Sequence, residues 1–130
     1  MSGKKSSQKR KTGKGGARRK AARENPLEDK RARVVRAIRA VPFGKVSTYG
    51  GVARAAGWAG AARQVVKILR QVDGLPWHRI VGSGGAIKLP GESGAEQRFR
   101  LRMEGVTFRG ARVDMTRHEF RFPKKVAGRQ

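Results

Sequence analysis

The sequence contains no cysteine. Disulfides, thiolate metal sites and thiol nucleophiles are excluded together. Acidic residues are scarce: 9 Asp+Glu stand against 32 Lys+Arg, a formal net charge of +23 over 130 residues. Self-repulsion on that scale disfavours a compact state unless counter-ions or a polyanion offset it. The balance points to a nucleic acid, and less to an anionic membrane surface. A ribosomal or nucleoid protein that coats phosphate is the plainest form of that reading. No apolar run approaches the ~18 residues of a membrane span, and the basic first residues lack the apolar centre of a signal peptide. The expectation is a soluble cytoplasmic chain, associated with the nucleoid, with no membrane partner. Its length allows one domain of ordinary size.

Composition divides the chain. Residues 1–24 carry Lys4, Lys5, Lys9, Arg10, Lys11, Lys14, Arg18, Arg19, Lys20 and Arg23 among small and polar residues. Such a segment cannot bury enough surface to offset its ordering entropy. It reads as a disordered basic arm that adds salt-sensitive, sequence-blind DNA affinity; a solubility or localisation tail is the other reading. Order is expected from Asn25, a helix cap, with Pro26 at the first helical position and Glu28 and Asp29 in the first turn. Val34, Val35, Ile38 and Val41 then recur at helical spacing, until Pro42 and Gly44 end the helix.

In "STYGGVARAAG", Ser47 is the expected cap and Gly57 the expected stop of a short helix. "AARQVVKILRQV" is helical again. Val65, Leu69 and Val72 share one face, flanked by Val66 and Ile68, and Arg63, Lys67 and Arg70 fall elsewhere. Two short helices joined by a tight glycine-containing turn, the second of them basic, read as a helix-turn-helix, although such pairs also occur as plain packing units. "WHRIVG" suggests a short strand, and "GSGGAIKLPG" a turn with a second strand or wing. Ser93 with Glu96 fits a capping box, and Ala95, Phe99 and Met103 form an i, i+4 apolar ladder in a helix ending at Gly105. "RVDM" and "HEFRF" each read as a short edge strand or an extended tail. The expected division is an arm at 1–24, a DNA-binding domain at 25–110 and a C-terminal extension at 111–130.

"VPFGKVSTYGGVARAAG", "AARQV", "PWHRIVGSGG" and "RMEG" occur in that order. Together they resemble the C-terminal domain of O6-alkylguanine-DNA alkyltransferases, over residues 30–108. The resemblance implies a mostly helical domain with short strands, of winged helix-turn-helix type. In that family a Pro-Cys-His-Arg motif supplies the cysteine that accepts the alkyl group. Here it reads Pro76-Trp77-His78-Arg79. That substitution marks the alkyltransferase-like proteins, which bind alkylated DNA without transfer and pass the lesion to nucleotide excision repair.

The chemistry agrees independently. Alkyl transfer needs a soft anionic nucleophile, and the indole nitrogen only donates. The resemblance implies no catalytic residue, no metal and no cofactor. His78 and Glu104 match the pair that activates the thiol in the enzymes, and with Pro76 and Arg79 they would persist as a structural remnant. By composition Trp77 reads as an ordinary core residue; its place in the motif makes it a wall of a pocket for an everted, alkylated base. Tyr49, His78 and Lys88 complete the expected pocket, Lys88 as the nearest match to a basic wing residue of relatives. Tyr49 also matches a tyrosine that presses on the 3′ phosphate. Arg63 matches an arginine that takes the vacated place in the stack. The alternatives are helix packing for Tyr49 and a plain phosphate contact for Arg63. Ala61 and Ala62 would permit close approach to the minor groove, and Lys67 and Arg79 join the DNA-contacting set. The implied partners are double-stranded DNA carrying O6-alkylguanine and nucleotide excision repair proteins, with the chain acting as a monomer.

Overall fold

A computed structural model describes residues 26–123. The basic arm and the Asn25 cap lie outside the described residues. Helix α1 spans Pro26–Ala40. Strand β1 (Ser47–Thr48), helix α2 (Tyr49–Ala55) and helix α3 (Ala62–Gln71) follow. A 3₁₀ turn at Trp77–Arg79 leads into β2 (Ile80–Val81), and a second at Ser83–Gly85 precedes helix α4 (Gly91–Met103). Strands β3 (Phe108–Arg109) and β4 (Arg112–Val113) and the short helix α5 (Met115–His118) are the last elements among the described residues. The architecture is the expected one, mostly helical with short strands around a helix-turn-helix.

The apolar spacing of the sequence builds the main core. Val34, Ile38 and Val41 of the α1 segment meet Val52 and Ala53 of α2 and Val65 and Ile68 of α3, all buried. A smaller cluster joins Val46, Val81, Leu101, Val106 and Val113. Between the clusters β1 pairs in parallel with β2, Ser47 opposite Ile80 and Thr48 opposite Val81. Val46 also bridges to Glu119, so the chain after α5 lies beside β1. Strands β3 and β4 form an antiparallel hairpin across residue 110. Past it, Phe120 and Phe122 pack against the main core. No helix among the described residues is long and apolar enough to cross a membrane.

Several local expectations are corrected. The cap of α2 is Thr48, whose Oγ1 accepts from the Gly51 N–H at 2.8 Å; Ser47 is drawn into β1. Only Ile80–Val81 of "WHRIVG" is strand, because Trp77, His78 and Arg79 form the 3₁₀ turn. No wing strand forms in 86–90; Ala86 makes one isolated bridge to Arg112. Helix α4 starts at Gly91, so Ser93 lies inside its first turn and makes no capping box, while Glu96 pairs with Arg100.

The apolar ladder of α4 points outward. Phe99 is 60% and Met103 68% exposed, whereas Gly94, Gln97 and Leu101 face the interior. Gly94 is there for close approach: a Cβ at that position would overlap the Leu89 carbonyl oxygen. Gln97, 1% exposed, donates from Nε2 to the carbonyls of His78 (3.1 Å) and Ile80 (2.9 Å). It thereby pins the Trp77–Arg79 turn to α4. Those two bonds satisfy backbone acceptors that the short strand leaves unpaired.

Candidate nucleic-acid interface

Tyr49, Val66, Leu69, Arg70, Trp77, Leu89 and Ser93 line a cavity of about 220 Å³. Four segments supply them: the start of α2, the outer side of α3, the Trp77–Arg79 turn, and the run from Leu89 into α4. A second hollow, lined by Arg102, Gly105, Val106, Thr107 and Phe108, shares no residue with it. Trp77 stands partly exposed at the first cavity, with its indole edge-on to the His78 ring at 6.1 Å. Arg100 lies over the indole at 5.6 Å and is itself held by Glu96 at 2.6 Å. That geometry fits a cation–π contact. An apolar wall with one polar edge remains open to a planar guest.

Tyr49 opens α2 directly after the Thr48 cap, and its phenol is part-buried. Burial pushes its pKa above 10, against the opposing charge of Arg70. The phenol therefore stays a neutral hydrogen-bond donor at physiological pH. Arg63 is exposed in the first turn of α3, and Lys67 is exposed one turn further on. Ala61 precedes that helix and makes no side-chain cap bond. The free N–H groups of the first turn are then available to an anion such as phosphate.

Behind the cavity lies a buried polar knot. Glu104, the C-cap residue of α4, accepts from His78 Nε2 at 2.7 Å and from Arg79 Nη2 at 2.8 Å on one oxygen. Its other oxygen accepts from the Gly44 N–H at 2.9 Å and from Arg79 Nε at 3.0 Å. Gly44 holds φ +83°, a left-handed conformation that turns its N–H inward and that suits glycine. Arg79 Nη1 donates to the Val41 carbonyl at 3.1 Å. Burial alone would raise the Glu104 pKa. The bonds from Arg79, Gly44 and His78, with the charge of Arg79, outweigh it and hold the value at about 2. Glu104 is thus a fixed carboxylate that locks the C-terminal end of α4 to the Trp77–Arg79 turn and to the loop after α1.

The structure brings Tyr49 and Trp77 to one cavity, with Arg63 and Lys67 on the adjoining outer face of α3. Other expected positions are corrected. His78 is buried behind the wall and does not line the cavity. Lys88 is exposed, with its stem over Gly82, and its neighbour Leu89 takes the lining place. Arg79 is turned inward and spent on Glu104 and Val41, so it belongs to the knot and not to the DNA-contacting set. Ala61 is 3% exposed, its methyl packed in the main core, which leaves Ala62 as the small residue nearer the surface. Sequence reasoning missed Arg70, Ser93 and Gln97. For Arg70 the signal was present: it falls one residue past Leu69 on the basic helix.

The family described as 6-O-methylguanine DNA methyltransferase, DNA binding domain, matches residues 29–106. The chain belongs to the alkyltransferase-like proteins of this family. A DNA base-flipping protein of Escherichia coli is 40% identical over 94 residues, 69% of this chain and 73% of that protein. Alkyltransferase-like protein 1 of Schizosaccharomyces pombe is 43% identical over 75 residues, 55% of this chain and 69% of that protein. The crystal structure of S. pombe Atl1 in complex with damaged DNA containing O6-carboxymethylguanine superposes with a TM-score of 0.61 at 30% identity, over 73% of this chain and 97% of that one. The family relationship accounts for the motif order, and Trp77 of the Pro76-Trp77-His78-Arg79 motif stands at the cavity wall.

Proposed function

We propose that this chain is a non-enzymatic DNA-damage sensor. It binds duplex DNA carrying O6-alkylguanine, rotates the damaged nucleotide out of the stack and receives the base in the cavity beside Trp77. The cavity carries this reading: a largely apolar slot of about 220 Å³ opens beside Trp77, with the indole in its wall. Relatives described as a base-flipping protein and as a complex with alkylated DNA support it. Rotating a base out costs a few kcal/mol, least for a poorly paired one. Arg63 entering the vacated place and the base stacking on Trp77 each recover about 1–3 kcal/mol. Tyr49 presses on the 3′ phosphate. The recognition helix α3 reads the minor groove, which encodes little sequence and so suits a sensor working in any context.

No transfer step follows binding. The cavity wall offers hydroxyls, an indole and a guanidinium, none of them a soft anionic nucleophile. His78 and Glu104 bond to each other and have no thiol to deprotonate. The chain acts as a monomer in the cytoplasm, on the nucleoid. The bent or widened duplex around it is what nucleotide excision repair recognises.

The test compares duplexes that differ only in one O6-methylguanine, at moderate salt, with residues 1–24 removed. Preference for the modified duplex is expected. Equal binding would overturn the sensor and leave an architectural, nucleoid-type DNA-binding protein. Label moving from a methyl-labelled duplex to the protein would overturn the absence of chemistry.

A further inference from the structure

We propose that Arg70 makes the cavity selective for O6 substituents that end in a carboxylate, over neutral substituents of the same size. The proposal rests on the lesion-binding reading above and names the adduct class of that site. Arg70 stands in the last turn of α3 and borders the cavity. Its guanidinium makes no hydrogen bond or ion pair with any described residue. It is the one charged side chain among the lining residues, and no carboxylate lines the cavity. The nearby acid Glu96 is bound to Arg100 at 2.6 Å, and that same Arg100 lies over the Trp77 indole. Glu92, in the first turn of α4, is exposed and does not border the cavity.

A guest in the slot therefore meets a free cation on the α3 side and a second cation behind the indole. The hydroxyls of Tyr49 and Ser93 add neutral donors to the wall. A substituent ending in a carboxylate pairs with the guanidinium through charge-assisted, bidentate hydrogen bonds. Arg70 is exposed and borders the slot, so the pairing needs no buried charge to be left without solvent in the empty protein. A neutral substituent of equal size gains only the apolar contact. Were Arg70 a phosphate contact instead, it would act alike on every duplex, since backbone contacts carry no information about the base.

The experiment measures equilibrium binding of the full chain to four duplexes identical except at one residue: guanine, O6-methylguanine, O6-carboxymethylguanine and its neutral amide, O6-carbamoylmethylguanine. The carboxymethyl duplex is expected to bind about tenfold more tightly than the amide. Arg70→Gln should bring that ratio close to one while keeping the preference for O6-methylguanine over guanine. Arg70→Lys should keep the larger part of the ratio. Equal binding of acid and amide by the unaltered chain overturns the proposal, as does a ratio that survives Arg70→Gln. Loss of affinity by the same factor on all four duplexes makes Arg70 a phosphate contact and likewise overturns it. A chain that does not distinguish O6-methylguanine from guanine refutes the underlying lesion reading, and the acid-to-amide ratio reports separately on Arg70.

Discussion

Glu104 and Arg79 are joined by a two-pronged ion pair, Nε to one carboxylate oxygen at 3.0 Å and Nη2 to the other at 2.8 Å, with the Glu104 side chain only 8% exposed. The pair links the end of α4 to the turn that presents Trp77. It therefore couples the stability of the domain to the shape of the cavity. The folded protein holds the Glu104 pKa at about 2, against an ordinary 4.5. A depressed carboxylate stabilises the fold above its unfolded pKa, and that contribution is lost as pH falls through the folded value. The size is about 3 kcal/mol for this one group.

The first prediction concerns acid. The urea midpoint of the unaltered chain should fall between about pH 5 and about pH 2, the window set by those two pKa values. Glu104→Gln should lower stability at pH 7 by about 3 kcal/mol, since Arg79 loses its counter-charge. The same variant should flatten the acid limb, because its amide does not titrate. An acid limb as steep in Glu104→Gln as in the unaltered chain would assign the titration to other groups.

A second prediction separates the helix from the arm. Arg63→Ala should reduce the preference for O6-methylguanine over guanine by about tenfold or more, in line with the loss of a stacking guanidinium. Deleting residues 1–24 should weaken binding to both duplexes and reduce the salt slope, leaving the preference in place. Titrations of both proteins at two salt concentrations measure this. If deleting the arm abolishes the preference, the reading element is not α3.

How far the sequence could reveal this arrangement differs from element to element. Helix α1 was legible because Val34, Ile38 and Val41 obey helical spacing and are the residues buried. Helix α3 was legible as a helix, but its buried pair is Val65 with the flanking Ile68, while Leu69 and Val72 of the expected face are only partly buried and Leu69 lines the cavity. Helix α4 was legible as a helix but not in its orientation. Two faces compete there, Ala95–Phe99–Met103 and Gly94–Gln97–Leu101, and the less apolar one is buried. It wins because only Gly94 permits contact with the Leu89 backbone and only Gln97 can satisfy the carbonyls of His78 and Ile80. Pairing of β1 with β2 was invisible, since two-residue strands carry no periodicity and their partners are more than 30 residues apart. The Pro76-Trp77-His78-Arg79 motif marked the site. It did not reveal that Arg79 turns inward, because the cause, Glu104, lies 25 residues away in the chain.

Gln97 supplies a third prediction. Gln97→Leu keeps the side-chain volume roughly constant and removes both bonds to the His78 and Ile80 carbonyls. Leaving buried acceptors unpaired costs about 1–3 kcal/mol each. The variant should lose stability in urea. Lesion preference should fall too, as the Trp77–Arg79 turn loosens from α4. A destabilised variant that keeps its full preference would show that the cavity does not depend on this brace.

The last prediction tests Trp77 directly. The sequence has two tryptophans, and the other, Trp58, lies partly buried against the main core, away from the cavity lining. In a Trp58→Phe background, fluorescence reports on Trp77 alone. A base that stacks on the indole should quench its emission, whereas a duplex bound on its outer phosphates should leave the indole in its present contact with Arg100. The O6-methylguanine duplex should therefore quench more strongly than the unmodified duplex at equal saturation. Trp77→Ala should remove about 1–3 kcal/mol of lesion preference and leave the weaker binding to undamaged DNA nearly unchanged. Equal quenching by the two duplexes, together with an intact preference in Trp77→Ala, would mean that no base reaches the cavity.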